Sequence, residues 1–383
     1  MTIDRIRFQI ARTLAWLLWL AGWIGLATLV QTHASSVFGG FALLALWLVA
    51  TGSFADGLAR FRLPVGAARL GLAGASVATA LFAATLGGGD APLLALVLAW
   101  AATVALASNA VRACRVRVDT PPGPPIASGA AAAALAWLVL ADLGDPAALR
   151  LRLAALVACA GLAMVLIWPR VAGTVARGGC RAALFDCALP AWPAPGAHRT
   201  FRWPLMLAAL VMLPMMCGLP LMLSLCRTEA VGPRAALGLH LAAMFVPALL
   251  IGWHGALSPR RAAFGCAGLL LAGAVAAPSI GGSGGNWALL ISQGAAWSIA
   301  WAARLGERRV PHGGVLATPL AGAALNALLV LALGAAVDLF GLKALIGWHL
   351  VLGAGAVIWL CSATKAQLAN YAASIGKLDL EAE

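Results

Sequence analysis

The sulfur and imidazole side chains in the second half of this chain have a spacing that suggests metal chemistry. Met212 and Met216 are four residues apart in one apolar run, and His240 and Met244 are four apart in the next. Residues four apart share a helix face, so each pair would present two donor groups to the same neighbour. Thioether sulfur prefers soft Cu(I), and imidazole also accepts copper. The pattern M-x-x-x-M followed by H-x-x-x-M therefore predicts a copper-binding position.

A short polar turn between Arg227 and Arg234 joins the two runs, which predicts a pair of antiparallel helices. Met216 lies 11 residues before Arg227, and Met244 lies 10 residues after Arg234. At about 1.5 Å per residue the two sulfur atoms are expected at nearly the same depth. Methionine also fills gaps in apolar cores, which explains the methionines alone. His240 favours a functional site, because an ionisable side chain within a membrane helix is costly and usually has a role.

The composition is that of an integral membrane protein. Of the 383 residues 62% are hydrophobic and 10% are charged, and the mean hydropathy is +0.94. A soluble domain carries about 25% charged residues. The eight cysteines form no C-x-x-C pair, which argues against a zinc ribbon or a thioredoxin motif. The sequence also has no G-x-x-x-x-G-K phosphate loop and no H-E-x-x-H motif. We therefore expect neither an enzyme nor a resident cofactor.

Apolar runs long enough to span a bilayer, or nearly so, recur along the whole chain. Six precede a Pro- and Gly-containing stretch, and six follow it. The predicted fold class is an all-α membrane protein with twelve transmembrane helices in two six-helix bundles. The predicted parts are an N-terminal half (1–168), a central cytoplasmic loop (169–203) and a C-terminal half with a cytoplasmic tail (204–383). The predicted spans are Leu14–Val30, Val37–Ala50, Ala67–Leu86, Ala91–Val111, Ile126–Leu140, Leu151–Trp168, Pro204–Leu225, Ala235–Trp253, Ala262–Ala277, Asn286–Ala303, Ala317–Val337 and Ala344–Leu360.

The charge distribution predicts the orientation of these spans. With a cytoplasmic N-terminus and alternating spans, 21 of the 26 Lys and Arg fall on the cytoplasmic side and five on the other. This is the bias of the positive-inside rule. Both termini are then cytoplasmic, and the formal net charge of +13 reflects topology rather than a nucleic-acid partner.

Polar side chains are few within the predicted spans. No carboxylate falls mid-span, which argues against a proton-driven exporter of cationic drugs, because proton-coupled transporters usually carry one on their pathway. Gln293 and Asn326 lie within spans, where such amides more often hold helices together. His349 is a further candidate for a polar pathway.

The layout of six spans, a linker and six spans resembles the plan of the major facilitator superfamily of transporters. The loop after the second run also resembles that family's motif G-x-L-A-D-R-x-G-R-R, with Gly57 in place of its first arginine. The matching residues are Gly52, Ala55, Asp56 and Arg60. The resemblance implies a gating motif, formed by Gly52, Asp56 and Arg60, in which Asp56 pairs with a nearby arginine and closes the cytoplasmic side. An ordinary positive-inside loop with one acid is the alternative.

Within that superfamily, the methionine and histidine pattern resembles the bacterial copper-importer branch, which supplies copper for the assembly of haem–copper oxidases. Phe245 and Pro247 extend the second motif to H-x-x-x-M-F-x-P. The resemblance implies a multi-pass protein of the bacterial inner membrane with copper as its cargo. The residues implied in transient copper binding are Met212, Met216, His240 and Met244.

Two further functions remain open from the sequence. One is a non-transporting assembly or accessory protein on the same fold, which the incomplete loop motif and the lack of membrane carboxylates favour. The other is a haem- or copper-bearing membrane protein of nitric-oxide metabolism, which needs several histidines facing each other. The expected partners are the lipid bilayer and a small solute or copper ion. The accessory-protein hypothesis adds a membrane assembly partner.

Overall fold

The computed structural model describes residues 3–26, 28–29, 37–60, 64–86, 90–115, 125–140, 145–168, 232–254, 257–306, 319–358 and 360–361. Within these ranges the chain forms eleven helices and no strand. The central loop 169–203 and the predicted seventh span, with Met212 and Met216, lie outside the described residues.

Six helices precede the range 169–231 and five follow it, in the order that the hydropathy predicts. A π-helical turn (Gly22–Leu26) continues the first helix. Seven of the described helices are long and apolar enough to cross a membrane, and α5 and α11 are shorter apolar helices. The helices are α1 (Ile3–Ala21), α2 (Val37–Arg60), α3 (Val65–Thr85), α4 (Asp90–Arg115), α5 (Pro125–Leu140), α6 (Pro146–Ile167), α7 (Gly232–His254), α8 (Pro259–Ile280), α9 (Gly282–Gly306), α10 (Pro319–Phe340) and α11 (Leu342–Ile358).

Several helices extend beyond the predicted apolar runs. Helix α1 begins at Ile3 rather than Leu14, and α2 ends at Arg60 rather than Ala50. Hydropathy marks only the part of a helix that lies among lipid chains, whereas the backbone hydrogen bonds continue into the polar flanks. Helix ends were therefore less predictable than helix positions.

The outer surface of the bundle is apolar. Leu70, Leu166, Phe264 and Leu339 are each at least 75% exposed. A soluble protein rarely exposes so many large apolar side chains, whereas in a bilayer they contact acyl chains. The chain is a multi-pass membrane protein.

The two halves meet along several helix pairs. Helix α2 packs on α10, where the ring of Phe41 occupies the space that a side chain at Gly334 would need. Helix α5 packs on α7, where Trp137 Nε1 donates to the carbonyl oxygen of Arg234 at 3.0 Å. The Arg234 guanidinium also lies 5.1 Å from the centre of the Trp137 ring. Helix α1 and the π-helical turn that continues it contact α7 and α9 through aromatic side chains, which brings His240 to the interface.

Two glycine turns join the last four helices in pairs. Gly281 (φ 67°) links α8 to α9, and Gly341 (φ 59°) links α10 to α11. Only glycine adopts this left-handed region at no steric cost. The Gly341 N–H also donates to the carbonyl oxygen of Val337 at 2.8 Å. Because each connection is so short, α8 and α9 run antiparallel, and so do α10 and α11.

The role of the turn at Gly341 can be tested by substitution. We expect Gly341→Ala to destabilise the protein by about 1 kcal/mol, because a Cβ in the left-handed region meets the following carbonyl oxygen. The control is Gly355→Ala within α11, where a Cβ has no neighbour within 4 Å and the helix favours alanine. Thermal unfolding in detergent, followed by circular dichroism, measures both. Equal stability of the Gly341→Ala variant and wild type would contradict the role assigned to the turn.

Candidate functional site

His240 and Met244 are both fully buried and lie one turn apart on α7. The Nδ1 atom of His240 lies 2.6 Å from the carbonyl oxygen of Leu290 in α9. A carbonyl oxygen only accepts, so in the neutral ring Nδ1 carries the hydrogen and Nε2 keeps its lone pair. Within the described part of the chain this Nε2 has no hydrogen-bond partner. A carbonyl bond on one ring nitrogen is the usual way in which a protein orients the other toward a metal.

The close crossing of α7 and α9 places His240 against Leu290. Gly294, one turn beyond Leu290, allows the contact because it has no side chain. A Cβ at Gly294 would lie 2.9 Å from the carbonyl oxygen of His240 and 3.2 Å from the backbone nitrogen of Met244. Both are main-chain atoms that cannot rotate away. The distance between the two helices, and hence the His240–Leu290 bond, therefore depends on a glycine at this position.

A buried aromatic cluster lies where α1 meets α7 and α9, and it contacts His240 through Trp23. Its members are Trp16, Trp19, Trp23, Phe245, Trp297 and Trp301. The centre of the Trp23 ring lies 5.9 Å from that of His240. Trp297 and Trp301 stack with ring centres 4.9 Å apart. Because Trp23 belongs to the first half and His240 to the second, the imidazole lies between the two halves and not at the lipid surface.

Four indoles of this cluster keep unused hydrogen-bond donors. The Nε1 atoms of Trp16, Trp19, Trp23 and Trp301 are buried and have no partner among the described residues. Buried tryptophan usually finds an acceptor for this group. The interface between the halves therefore holds several polar groups that the described part of the chain does not satisfy.

The contacts described above do not include two parts of the predicted site, namely the methionine pair and the gating motif. Met212 and Met216 fall outside the described residues, so their approach to His240 stays a prediction. Gly52 and Asp56 are buried one turn apart near the end of α2, and Arg60 is its last residue, with a side chain outside the described atoms. The pairing of Asp56 with an arginine also stays a prediction.

Further buried polar side chains lie on α9 and α11. Gln293 on α9 and His349 on α11 are fully buried, and Asn286 on α9 is 6% exposed. Both amide atoms of Gln293 and the Nε2 atom of His349 lack a hydrogen-bond partner in the described part of the chain. A polar residue in an apolar run was the only sequence signal, and it does not reveal which helices come together.

The described residues contain no group of three or more His, Cys, Asp or Glu side chains placed to hold a metal ion. His240 and Met244 by themselves supply one nitrogen and one thioether. Such a pair is a partial ligand set, which suits a passing ion better than a permanent one.

Comparison with known proteins identifies the fold. The sequence matches no protein-family model and no curated protein. The structure is similar to that of the nucleoside transporter NupG, with a TM-score of 0.59 and 16% identity over 94% of this chain and 98% of that chain. The D323A mutant of NupG gives a TM-score of 0.55 and 14% identity at the same coverage. At these identities the similarity concerns the fold and not the cargo. This chain therefore has the fold of the solved nucleoside transporter NupG.

Proposed function

We propose that this protein transports copper ions across the bacterial inner membrane. The proposal rests on the burial and the hydrogen bonding of the His240 ring. Its ring is fully buried between the two halves, and its Nε2 lone pair is free of any partner in the described chain. The thioether-bearing Met244 lies one turn away on the same helix and is also fully buried.

The energetics favour a ligand at His240. A polar atom without a partner inside a membrane protein costs free energy, and such atoms are a small minority in native structures. The Leu290 carbonyl fixes the ring so that the free nitrogen is Nε2. A ring held in this way binds a metal without first giving up another hydrogen bond.

The donor types favour copper among the common metal ions. Thioether sulfur is a soft ligand that suits Cu(I), whereas Mg²⁺ and Ca²⁺ require oxygen ligands. In this proposal Met212 and Met216 complete the path. By their positions in sequence, His240 is outermost, Met216 and Met244 share the next level, and Met212 lies about one turn further inward. Weak successive sites let an ion enter and also leave.

In this proposal the ion crosses the membrane by alternating access, in which the site opens first to one side and then to the other. In transporters of this fold the two halves rock about a site at their interface. The contacts of Trp23 with His240 and of Trp16 with Trp301 bridge the halves, the latter with ring centres 5.6 Å apart. These contacts must open in the state that admits the ion. The aromatic cluster would then form the closed gate on one side of His240.

A direct test uses purified protein in liposomes. We expect saturable uptake of radioactive copper under reducing conditions, with no uptake in protein-free liposomes and little competition from a tenfold excess of Mg²⁺ or Ca²⁺. Absence of copper uptake by a folded, correctly inserted protein would contradict the proposal. If such a protein also moves no other solute, the accessory-protein hypothesis becomes the better one.

A second candidate cargo is a flat heterocyclic solute such as a nucleoside. The four unpartnered indole N–H groups favour it, because a heterocycle stacks on tryptophan rings and accepts hydrogen bonds from their edges. NupG, the solved transporter of similar fold, is a nucleoside transporter. The same liposomes, supplied with radiolabelled uridine and adenosine, distinguish the two cargoes. Nucleoside uptake without copper uptake would replace the copper proposal.

The gating motif gives a further prediction. We expect Asp56→Asn to slow copper uptake by about tenfold and to leave equilibrium copper binding unchanged, because ion pairs at moving interfaces serve switching more than stability. Ser53→Ala is a suitable control, since Ser53 is an exposed residue on the same stretch of α2. Unchanged uptake by the Asp56→Asn variant would identify the segment as an ordinary charged loop.

A further inference from the structure

We propose that Ser298 on α9 is a positioning residue for the copper ligands, because it holds the turn of α7 that carries Met244. This inference rests on the proposed copper transport and deepens it, since it concerns the same pair of donors. Neither the copper motif nor the fold comparison includes Ser298. Its role is exerted through the backbone of α7 and not as a ligand.

A proline interrupts α7 three residues after Met244. Pro247 lies inside the helix and has no backbone N–H. It therefore cannot donate to the carbonyl oxygen of Ala243, the regular partner four residues earlier. The missing bond belongs to the turn that contains Met244. Within a membrane such a break is tolerated where a neighbouring helix or a Ser or Thr side chain supplies replacement contacts.

The residue after the proline has such a contact with α9. The backbone N–H of Ala248 donates to the Oγ atom of Ser298 at 2.8 Å. Both residues are fully buried, so water does not compete for this hydrogen bond. The turn that the proline weakens is thus held from outside, by a side chain 50 residues later in the chain.

A second contact between the same two helices holds the preceding turn of α7. The Nδ1 atom of His240 lies 2.6 Å from the carbonyl oxygen of Leu290. Each of the two contacts joins residues 50 apart in sequence, so α7 and α9 run parallel with a constant offset between them. Eight residues separate the contacts on each helix, which is about 12 Å. The close crossing at Gly294 lies midway between them.

The two contacts together fix both donor side chains. His240, Met244 and Ala248 follow each other at intervals of four residues on one face of α7. The Leu290 carbonyl orients the imidazole, and Ser298 holds the turn that leads from Met244 to Ala248. The distance between the Nε2 atom of His240 and the thioether therefore depends on both contacts. Without the Ser298 hydroxyl, the turn lacks both the bond that proline removes and its contact with α9.

Copper titration of the purified protein in detergent measures the effect on binding. Cu(I) is kept reduced with ascorbate and competes with bicinchoninate as the coloured chelator. We expect Ser298→Ala to weaken copper binding by about tenfold, as is found for groups that orient metal ligands, with the number of bound equivalents unchanged. In liposomes the KM for copper uptake should rise by a similar factor, and the maximal rate should stay near that of wild type. A variant that was merely less well folded would instead lower the maximal rate and leave KM unchanged.

Ser292→Ala is the matched control for this substitution. Ser292 is also a buried serine of α9, at 6% exposed. Its hydroxyl donates to the carbonyl oxygen of Leu289 in the same helix, at 3.0 Å, and this bond does not reach α7. The copper affinity and the KM of this variant should be those of wild type.

A double-mutant cycle tests whether Ser298 acts through the break at the proline. In Pro247→Ala the missing N–H is restored, so the turn can close its own helical bonds. In that background we expect Ser298→Ala to weaken copper binding by less than about threefold, whereas the effects of independent sites would multiply. A tenfold loss that persisted in the Pro247→Ala background would contradict the proposed role.

Amide hydrogen exchange separates this inference from the copper proposal. The peptide that contains Ala248 should exchange faster in Ser298→Ala than in wild type, with or without copper, because the N–H loses its acceptor. Unchanged exchange, or unchanged affinity where wild type binds copper, overturns the role of Ser298. If wild type neither binds nor transports copper, the proposed function is wrong, and the exchange result alone decides whether Ser298 holds this turn. Should Ser298→Ala fail to fold, Ser298→Cys, whose sulfur is only a weak acceptor, takes its place with the same expected direction.

Discussion

The variant His240→Leu is expected to lose at least about 99% of the copper uptake of wild type and to remain folded. Removing a metal ligand has a larger effect than removing a group that only orients one, and the latter already costs about 10- to 100-fold. The side chain is fully buried between the halves, so no exposed residue can replace it from the lipid side.

We expect the free energy of unfolding of the His240→Leu variant to be nearly that of wild type. Leucine removes an unpartnered Nε2 from an apolar environment, which is favourable. It also removes the hydrogen bond to the Leu290 carbonyl, but that carbonyl lies inside α9 and can still accept the helical N–H four residues later. Loss of transport without loss of stability is the signature of a ligand rather than a packing residue.

The measurement combines liposome uptake with thermal unfolding of the same preparation. Val246→Leu, on the exposed side of α7, controls for a new leucine on that helix. Met244→Leu conserves volume and removes only the sulfur, so it should weaken uptake with less than about 1.5 kcal/mol loss of stability. Uptake by His240→Leu within threefold of wild type would contradict the assignment of the ligand.

The second large effect is expected for Gly294→Val. A Cβ at this position meets main-chain atoms of His240 and Met244 at 2.9 and 3.2 Å, and the Cβ of Ala243 at 3.0 Å. Helices α7 and α9 must move apart to admit it, which costs about 1–3 kcal/mol. The same movement pulls His240 away from the Leu290 carbonyl. We therefore expect both a lower unfolding temperature and a loss of copper uptake.

Gly268→Val in α8 is the matched control for this substitution. It introduces the same side chain in the same half, at a position where a Cβ has no neighbour within 4 Å. It should unfold at nearly the wild-type temperature and transport copper normally. If Gly294→Val also behaved as wild type, the close approach of α7 and α9 would have no part in holding the ligands.

The positions of the described helices were predictable from sequence because they depend on local hydropathy. Helix α7, for example, contains the predicted run Ala235–Trp253 and adds only a few residues at its ends. The shared face of His240 and Met244 also follows from local geometry, since a helix repeats every 3.6 residues whatever surrounds it. The likeness to a transporter fold was foreseen for the same reason, from the count of apolar runs and the linker.

Neither the fold nor the comparisons with known proteins determine the cargo. NupG shares the fold at 16% identity, which carries no information about which ligands a site prefers. The copper proposal rests on donor atoms and their surroundings. The sequence supplies the identity of the donors, and the structure supplies the burial of His240 and Met244 and the hydrogen bond of His240.

Sequence alone determined the membrane character of this protein, the positions of its described helices and the pairing of an imidazole with a thioether on one helix, because each depends on composition or on neighbours within one turn. Only the tertiary structure decided that His240 lies between the halves beside Trp23, and that its Nδ1 atom meets the Leu290 carbonyl oxygen of α9. These facts depend on which helices pack together and at what register. Gly294 sets the crossing of α7 and α9, because its partners are main-chain atoms of His240 and Met244, which are distant in the chain.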